Sequence, residues 1–190
     1  MDVRVTKELE LFRQGNHGAI YRFLGAHPSA DGSETLFRVW APNADQVSVL
    51  GDFNHWEADK NNLAPLDDFG VWSGKVSGVG PGAFYKYAIR NQWTGEVVEK
   101  ADPVAFQSEC PPRTASVVSN LDYKWNDEEW MATRHRRHRL DSPISIYELH
   151  LGSWLGKTEP GEWPNYQDLA TQIADHVESL GYTHIELLPI

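Results

Sequence analysis

The run FRVWAPNADQVSVLGDFNHW, residues 37–56, decides how the first two thirds of the chain is to be read. Phe37 and Val39 alternate with Arg38 and Trp40, and after the turn APNAD (41–45) the stretch QVSVL (46–50) alternates again. Two short runs of period two across a Pro-Asn turn predict antiparallel strands with one buried face, so Phe37 and Val39 should face a core. The second run does not end in an ordinary turn. It passes into GDFNHW (51–56), where a Phe and a Trp stand among turn residues. A core aromatic belongs at an alternating strand position, whereas a turn aromatic usually sits there to touch something.

The same pattern recurs from about residue 31 to residue 120. TLFRVW (35–40), GVWSGKV (70–76), AFYKYAIR (83–90), GEVVEK (95–100) and TASVV (114–118) read as strands, separated by ADGSE, GVGPG and RNQWTG. Short strands at this spacing predict an antiparallel β-sandwich. In AFYKYAIR the core face comprises Tyr85, Tyr87 and Ile89, which turns Lys86 outward. Trp72, flanked by Val71 and Ser73, reads as core. Residues 6–24 carry a short helical patch (Leu9, Leu11, Phe12) broken at Gly15.

Residues 121–143 read as a polar linker. Its stretch RHRRHR (134–139) is expected to be a solvated segment, because a chain of net charge −10 lacks the basic surface that nucleic acid requires. Beyond it the pattern changes. PISIYELHLGSW (143–154) begins as a buried-type strand, and NYQDLATQIADHVESLGYTH reads as a helix capped by Asn165. Its apolar stripe is Leu169, Ile173, Val177 and Leu180, with a C-terminal Gly181. THIELLPI (183–190) is a second strand, so the segment forms one βαβ unit. A lone unit leaves sheet edges and one face uncovered. Its natural completion is a run of β/α repeats, and a barrel of eight takes about 250 residues. The expectation is therefore the N-terminal part of a longer protein, the alternative being a complete chain with a small α+β tail.

Composition limits the class. The hydrophobic share of 41% and charged share of 23% are those of a globular chain. No stretch reads as a membrane span or a signal-peptide core, and the single Cys110 fits a reducing compartment, so a cytoplasmic protein is expected. HExxH, P-loop, GxSxG and CxxC motifs are all missing from the sequence. His150 ends a predicted barrel strand, where barrels do chemistry, and could be structural or a ligand contact. Glu148 and Glu186 read as barrel-interior or supporting groups, since a glycosidase pair must face each other across the scissile bond.

The turn GDFNHW carries more chemistry. A sugar ring offers a flat C–H face that an aromatic ring can cover, while its hydroxyls need fixed polar partners. Trp56, Trp93 in RNQWTG and the outward Lys86 would supply a stacking surface with a charged donor beside it. The competing reading makes Trp56 a hydrophobic plug beneath its loop.

These residues resemble a known family. YRFLGAHP (21–28), FRVWAPNADQVSVLGDFNHW (37–56), YKY (85–87) and KADPVAF (100–106) are similar to the family 48 carbohydrate-binding module, an immunoglobulin-like sandwich. SPISIYELHLGSW and YTHIELLPI resemble the opening of the α-amylase-type (β/α)8 barrel of bacterial glycogen branching enzymes. The related trehalose-releasing and debranching enzymes share a similar YELH strand; GSW at 152–154 together with ELLPI favours the branching enzymes. The resemblance implies four segments: an N-terminal helical segment (1–17), the module (18–120), a linker (121–142) and a truncated barrel start (143–190).

By the same resemblance, Trp56, Lys86 and Trp93 match the sugar-binding positions of glycogen-binding modules. The polar anchor those modules place near their last strand has no clear counterpart, Asn120 being nearest. The implied partner is an α-glucan, glycogen or a linear α-1,4-glucan, with neither metal nor organic cofactor. The implied parent enzyme moves α-1,4 segments to α-1,6 branch points by a retaining double displacement. Its catalytic Asp, Glu and second Asp would lie on strands after residue 190, so this portion is expected to be inactive. The alternatives are a self-standing glycogen-binding module that targets without catalysis, and part of a relative that hydrolyses α-glucosidic bonds.

Overall fold

The computed structural model describes residues 3–154 and 164–190, which form two compact units, 1–123 and 124–190. The first opens with helix α1 (Val3–Arg13) and continues through nine strands. These are β1 (Gly25–Pro28), β2 (Glu34–Trp40), β3 (Ala44–Gly51), β4 (Ala64–Pro65), β5 (Val71–Ser77), β6 (Phe84–Asn91), β7 (Val97–Lys100), β8 (Gln107–Ser108) and β9 (Ser116–Val117). One antiparallel sheet has the order β1-β2-β5-β4, and a second has β3-β6-β9-β8. Strand β7 pairs β6 over residues 87–90, beyond the point where β9 pairs with it.

Alternation along these strands builds the core. Phe37 and Val39 from the first sheet meet Val47, Val49, Tyr85 and Tyr87 from the second in one cluster, with Trp72 beside them. Phe37 packs edge-on against Tyr85 at 5.1 Å between ring centroids, within the range aromatic pairs prefer. Trp72 is buried as expected, and its indole Nε1 donates to the Ala41 carbonyl at 3.1 Å. Ile89 is only partly buried.

Two inward tyrosines on one strand bring two hydroxyls into an apolar core, and each needs a partner. Asp102 supplies it. Its carboxylate accepts from Tyr85 Oη at 2.7 Å, Tyr87 Oη at 3.3 Å and the Val104 N–H at 2.8 Å. The segment KADPVAF is thereby tied to β6 from within. Burial raises the Asp102 carboxyl above its ordinary value and outweighs the hydrogen bonds, which act the other way.

Helix α1 covers a second apolar layer, in which Leu9 packs with Phe23, Leu24 and Val71. It ends ahead of Gly15, where the sequence predicts a break. Strands β1, β4 and β8 escape the sequence reading because each has only two to four residues, too few for a period to register.

The second unit contains α2 (Glu128–Arg137), β10 (Ile146–Leu149), α3 (Leu151–Trp154), α4 (Tyr166–Ser179) and β11 (His184–Leu187). Helix α2 occupies the stretch read as a linker. It carries Glu128 and Glu129 in its first turn and Arg134 to Arg137 in its last, the charge order that complements a helix dipole. Helix α4 begins at Asn165, whose side chain accepts from the Asp168 N–H at 2.9 Å. It ends in a Schellman motif, with Gly181 N–H on Glu178 O and Tyr182 N–H on Val177 O, both at 3.0 Å. The 6→1 turn requires a left-handed residue, and Gly181 takes φ 76° without a Cβ penalty.

Strands β10 and β11 pair in parallel, from Ile146 opposite His184 to Leu149 opposite Leu187. Leu149 packs on Leu169, Ile173 and Val177 of α4, while Leu180, expected in that stripe, is exposed. Among the described residues these elements form no closed barrel, and no helix is long and apolar enough to cross a membrane.

Candidate functional site

The turn after β3 is built around Asn54. Its side-chain oxygen accepts from the Gly51 N–H at 2.9 Å, and its amide nitrogen donates to Val49 O at 3.0 Å and Asn61 Oδ1 at 2.8 Å. Gly51 is required by close approach: a Cβ there would lie 2.1 Å from the Phe84 carbonyl oxygen. The two aromatics of the turn part ways. Phe53 packs against the core, whereas Trp56 is 40% exposed.

Backbone conformation marks this turn further. His55 and Trp56 both adopt left-handed φ values, 58° and 59°. A bulky residue in this region is a genuine outlier and costs of order 1–2 kcal/mol. The turn is closed by the Trp56 N–H donating to Gly51 O at 2.8 Å. Strain of this kind clusters at ligand-binding and catalytic positions in proteins, and here a well-bonded turn holds it beside an exposed indole.

Trp56 and Lys86 line one open concavity of about 520 Å³, together with Asp52, Phe84, Glu99, Glu109, Arg113, Thr114 and Ala115. Lys86 turns outward between the buried Tyr85 and Tyr87, and among the described residues it forms no ion pair. Its ammonium is thus free to donate to a ligand. The rest of the wall combines apolar surface from Phe84 with carboxylates and a guanidinium, so it offers both acceptors and donors. Glu109 is held in place by accepting from the Ala115 N–H at 3.0 Å.

Trp93 lies elsewhere. It is 70% exposed on the turn after β6, anchored by its N–H on Asn91 Oδ1 at 2.9 Å, and it does not line this concavity. From Lys86 to Asn91 the strand advances by about 17 Å at 3.3 Å per residue. Trp93 thus stands at the other end of β6, outside the hollow that Trp56 and Lys86 share. Asn120 lines a different cleft. The sequence reading missed Asp52, Glu99, Arg113 and Glu109. Their convergence follows from β6 pairing with both β7 and β9, a long-range event with no local signal.

In the second unit, Glu148 and Glu186 stand opposite each other in the parallel register. They would approach a ligand from the same side, not from opposite sides of one bond. His150 is exposed between β10 and α3. Among the described residues there is no group of three or more His, Cys, Asp or Glu placed to hold a metal.

The first unit is similar to a known carbohydrate-binding module. Residues 23–105 match the model of carbohydrate-binding module 48, the isoamylase N-terminal domain. The chain as a whole is homologous to 1,4-alpha-glucan branching enzymes GlgB. It is 47% identical to that of Synechococcus sp. (strain JA-3-3Ab) over 199 residues, 95% of this chain and 26% of the relative. It is 47% identical to that of Aromatoleum aromaticum over 184 residues, 96% of this chain and 28% of the relative. The chain thus spans about a quarter of the length of the curated relatives it matches. Among solved structures, the maltotriose complex of a Klebsiella pneumoniae PulA mutant superposes with a TM-score of 0.60 at 26% identity, over 90% of this chain and 21% of that one.

Proposed function

We propose that this chain is the glucan-binding and barrel-opening portion of a 1,4-α-glucan branching enzyme. The observation that carries the reading is the concavity in which a strained, exposed Trp56 stands with Lys86, which forms no ion pair among the described residues, in a chain homologous over 95% of its length to part of a branching enzyme. The indole face covers the C–H face of a glucose unit, and the ammonium donates to its hydroxyls. Trp93 contacts a more distant unit of the same glucan. The two sheets form an immunoglobulin-like sandwich, and β10, α4 and β11 open an α-amylase-type barrel.

The parent enzyme acts in the cytoplasm in glycogen biosynthesis. A nucleophilic carboxylate forms a covalent glucosyl intermediate as a protonated carboxyl assists departure of the leaving chain. The 6-hydroxyl of a glucan, in place of water, then takes the intermediate. On this reading those carboxylates stand on later barrel strands of the parent enzyme, and the role of this portion is to bind glucan.

Two assays test the reading. Affinity electrophoresis in a glycogen gel should retard the 190-residue chain and release the Trp56→Ala variant, which should remain folded by circular dichroism. A folded variant with unchanged retardation would move the glucan site elsewhere. For the parent enzyme, incubation with amylose should raise α-1,6 linkages with a constant number of reducing ends. An increase in reducing ends would assign it to hydrolysis.

A further inference from the structure

A second cleft of the first unit, about 590 Å³, shares no lining residue with the Trp56 concavity. That volume lies within the range of small-molecule sites. Its walls include Tyr21, Arg22, His27, Phe106, Asn120 and Asp122. Tyr21 and Phe106 meet edge-on at 6.1 Å, and His27 stands edge-on to Phe106 at 6.4 Å, so three rings build one side. Both Tyr21 and Phe106 are exposed, at 42% and 36%. Both rings keep exposed surface at the cleft and stand nearly at right angles, so the flat apolar face of a ligand can lie on one of them with the other at its edge.

The polar groups of the cleft are only partly used. His27 Nε2 lies 2.9 Å from the Leu24 carbonyl oxygen, which can only accept, so Nε2 carries the hydrogen. In the neutral ring Nδ1 is then an acceptor, and among the described residues it has no hydrogen-bond partner. Asn120 uses its side-chain oxygen on the Asp122 N–H at 2.9 Å, which leaves its amide nitrogen as a donor. The Arg22 guanidinium lies 5.7 Å from the centroid of the Tyr21 ring and keeps its donors at the cleft. Arg22 and Asp122 are of opposite sign, so the two formal charges of the lining balance, as suits a neutral ligand.

We infer that this cleft is a second carbohydrate site of the module, one that takes a neutral sugar unit. Aromatic faces match the C–H face of a pyranose, and mixed donors and acceptors match hydroxyls, which both donate and accept. The inference goes beyond the Trp56–Lys86 reading and does not require it.

The test is a titration of the ¹⁵N-labelled 190-residue chain with maltoheptaose, followed by amide chemical shifts. Shifts should appear at Arg22, His27, Phe106 and Asn120, and should persist in Trp56→Ala. Tyr21→Ala and Asn120→Ala should each weaken the apparent Kd read from the cleft amides by about tenfold, with shifts near Trp56 unchanged. Two substitutions guard against a local folding defect, which the dispersion of the free spectrum would reveal. Absence of shifts at the cleft, their loss in Trp56→Ala, or their persistence at full affinity in both cleft variants would overturn the proposal. Shifts at the cleft without shifts near Trp56 would instead refute the Trp56 reading and leave this one standing.

Discussion

The two units differ in how completely they enclose what they bury. In the first, Phe37, Val47, Val49, Tyr85 and Tyr87 are wholly inaccessible, closed between two sheets. In the second, among the described residues, α4 and the short α3 pack against a two-stranded sheet. Leu149 is covered by α4, but Ile185 and Leu187 remain 43% exposed. The sheet partners of Tyr147 and Leu149 are Ile185 and Leu187, so all four lie on one face, of which α4 covers only part. Two sheets can seal a core between them, whereas one βαβ unit has more apolar face than a helix can cover.

That comparison can be broken most directly in the closed core. Phe37→Ala should cost about 3–5 kcal/mol, seen as a fall in the urea midpoint of the near-ultraviolet signal. Ile173→Ala in the half-open cluster of α4 should cost about 2 kcal/mol, the low end for such truncations. Equal losses would mean that the second cluster is as closed as the first.

Asp102→Asn probes the polar tie inside the same core and should cost about 1–3 kcal/mol near neutral pH, because the hydroxyls of Tyr85 and Tyr87 lose a charged acceptor. Its pH dependence has a definite sign. Burial raises the folded pKa of Asp102, so the folded chain takes up this proton before the unfolded chain does. The stabilisation is complete below the unfolded pKa and fades as pH rises through the folded one. Wild type should therefore gain stability over Asp102→Asn on going from pH 7 to pH 4, as read from paired urea titrations. A gap that narrows on acidification would reverse the assignment.

Smaller effects sharpen the contrast between core and surface aromatics. Trp56→Gly should change stability by less than about 1 kcal/mol, since relief of the left-handed backbone offsets lost packing, yet it should abolish retardation in a glycogen gel. Trp93→Ala should leave the thermal midpoint within about 1 °C, as befits an exposed side chain, and weaken retardation less than Trp56→Ala does.

Most of the first unit was legible because its strands alternate. Phe37, Val39, Tyr85, Tyr87 and Trp72 were assigned to the core from period and flanking residues alone, and Asn165 and Gly181 marked the ends of α4 from cap chemistry. Two features misled. The polar stretch before residue 143 contains α2, whose exposed residues carry no apolar stripe by which to recognise a helix. Leu180 continues the spacing of the α4 stripe but falls at the C-cap, where the chain turns away.

For the site, local sequence was enough to place Trp56 in a turn and Lys86 on an outward face, because both depend on a few neighbouring residues. Their meeting depended on the pairing of β6 with β3, β7 and β9, strands far apart along the chain. The same pairing kept Trp93 at the far end of β6, and the folding of the unit as a whole set Tyr21 and Asn120, about a hundred residues apart, around one cleft. Periodicity and capping are local energies that a sequence states outright. Which exposed side chains share a hollow is settled by the packing of distant strands, and that only the tertiary structure decided.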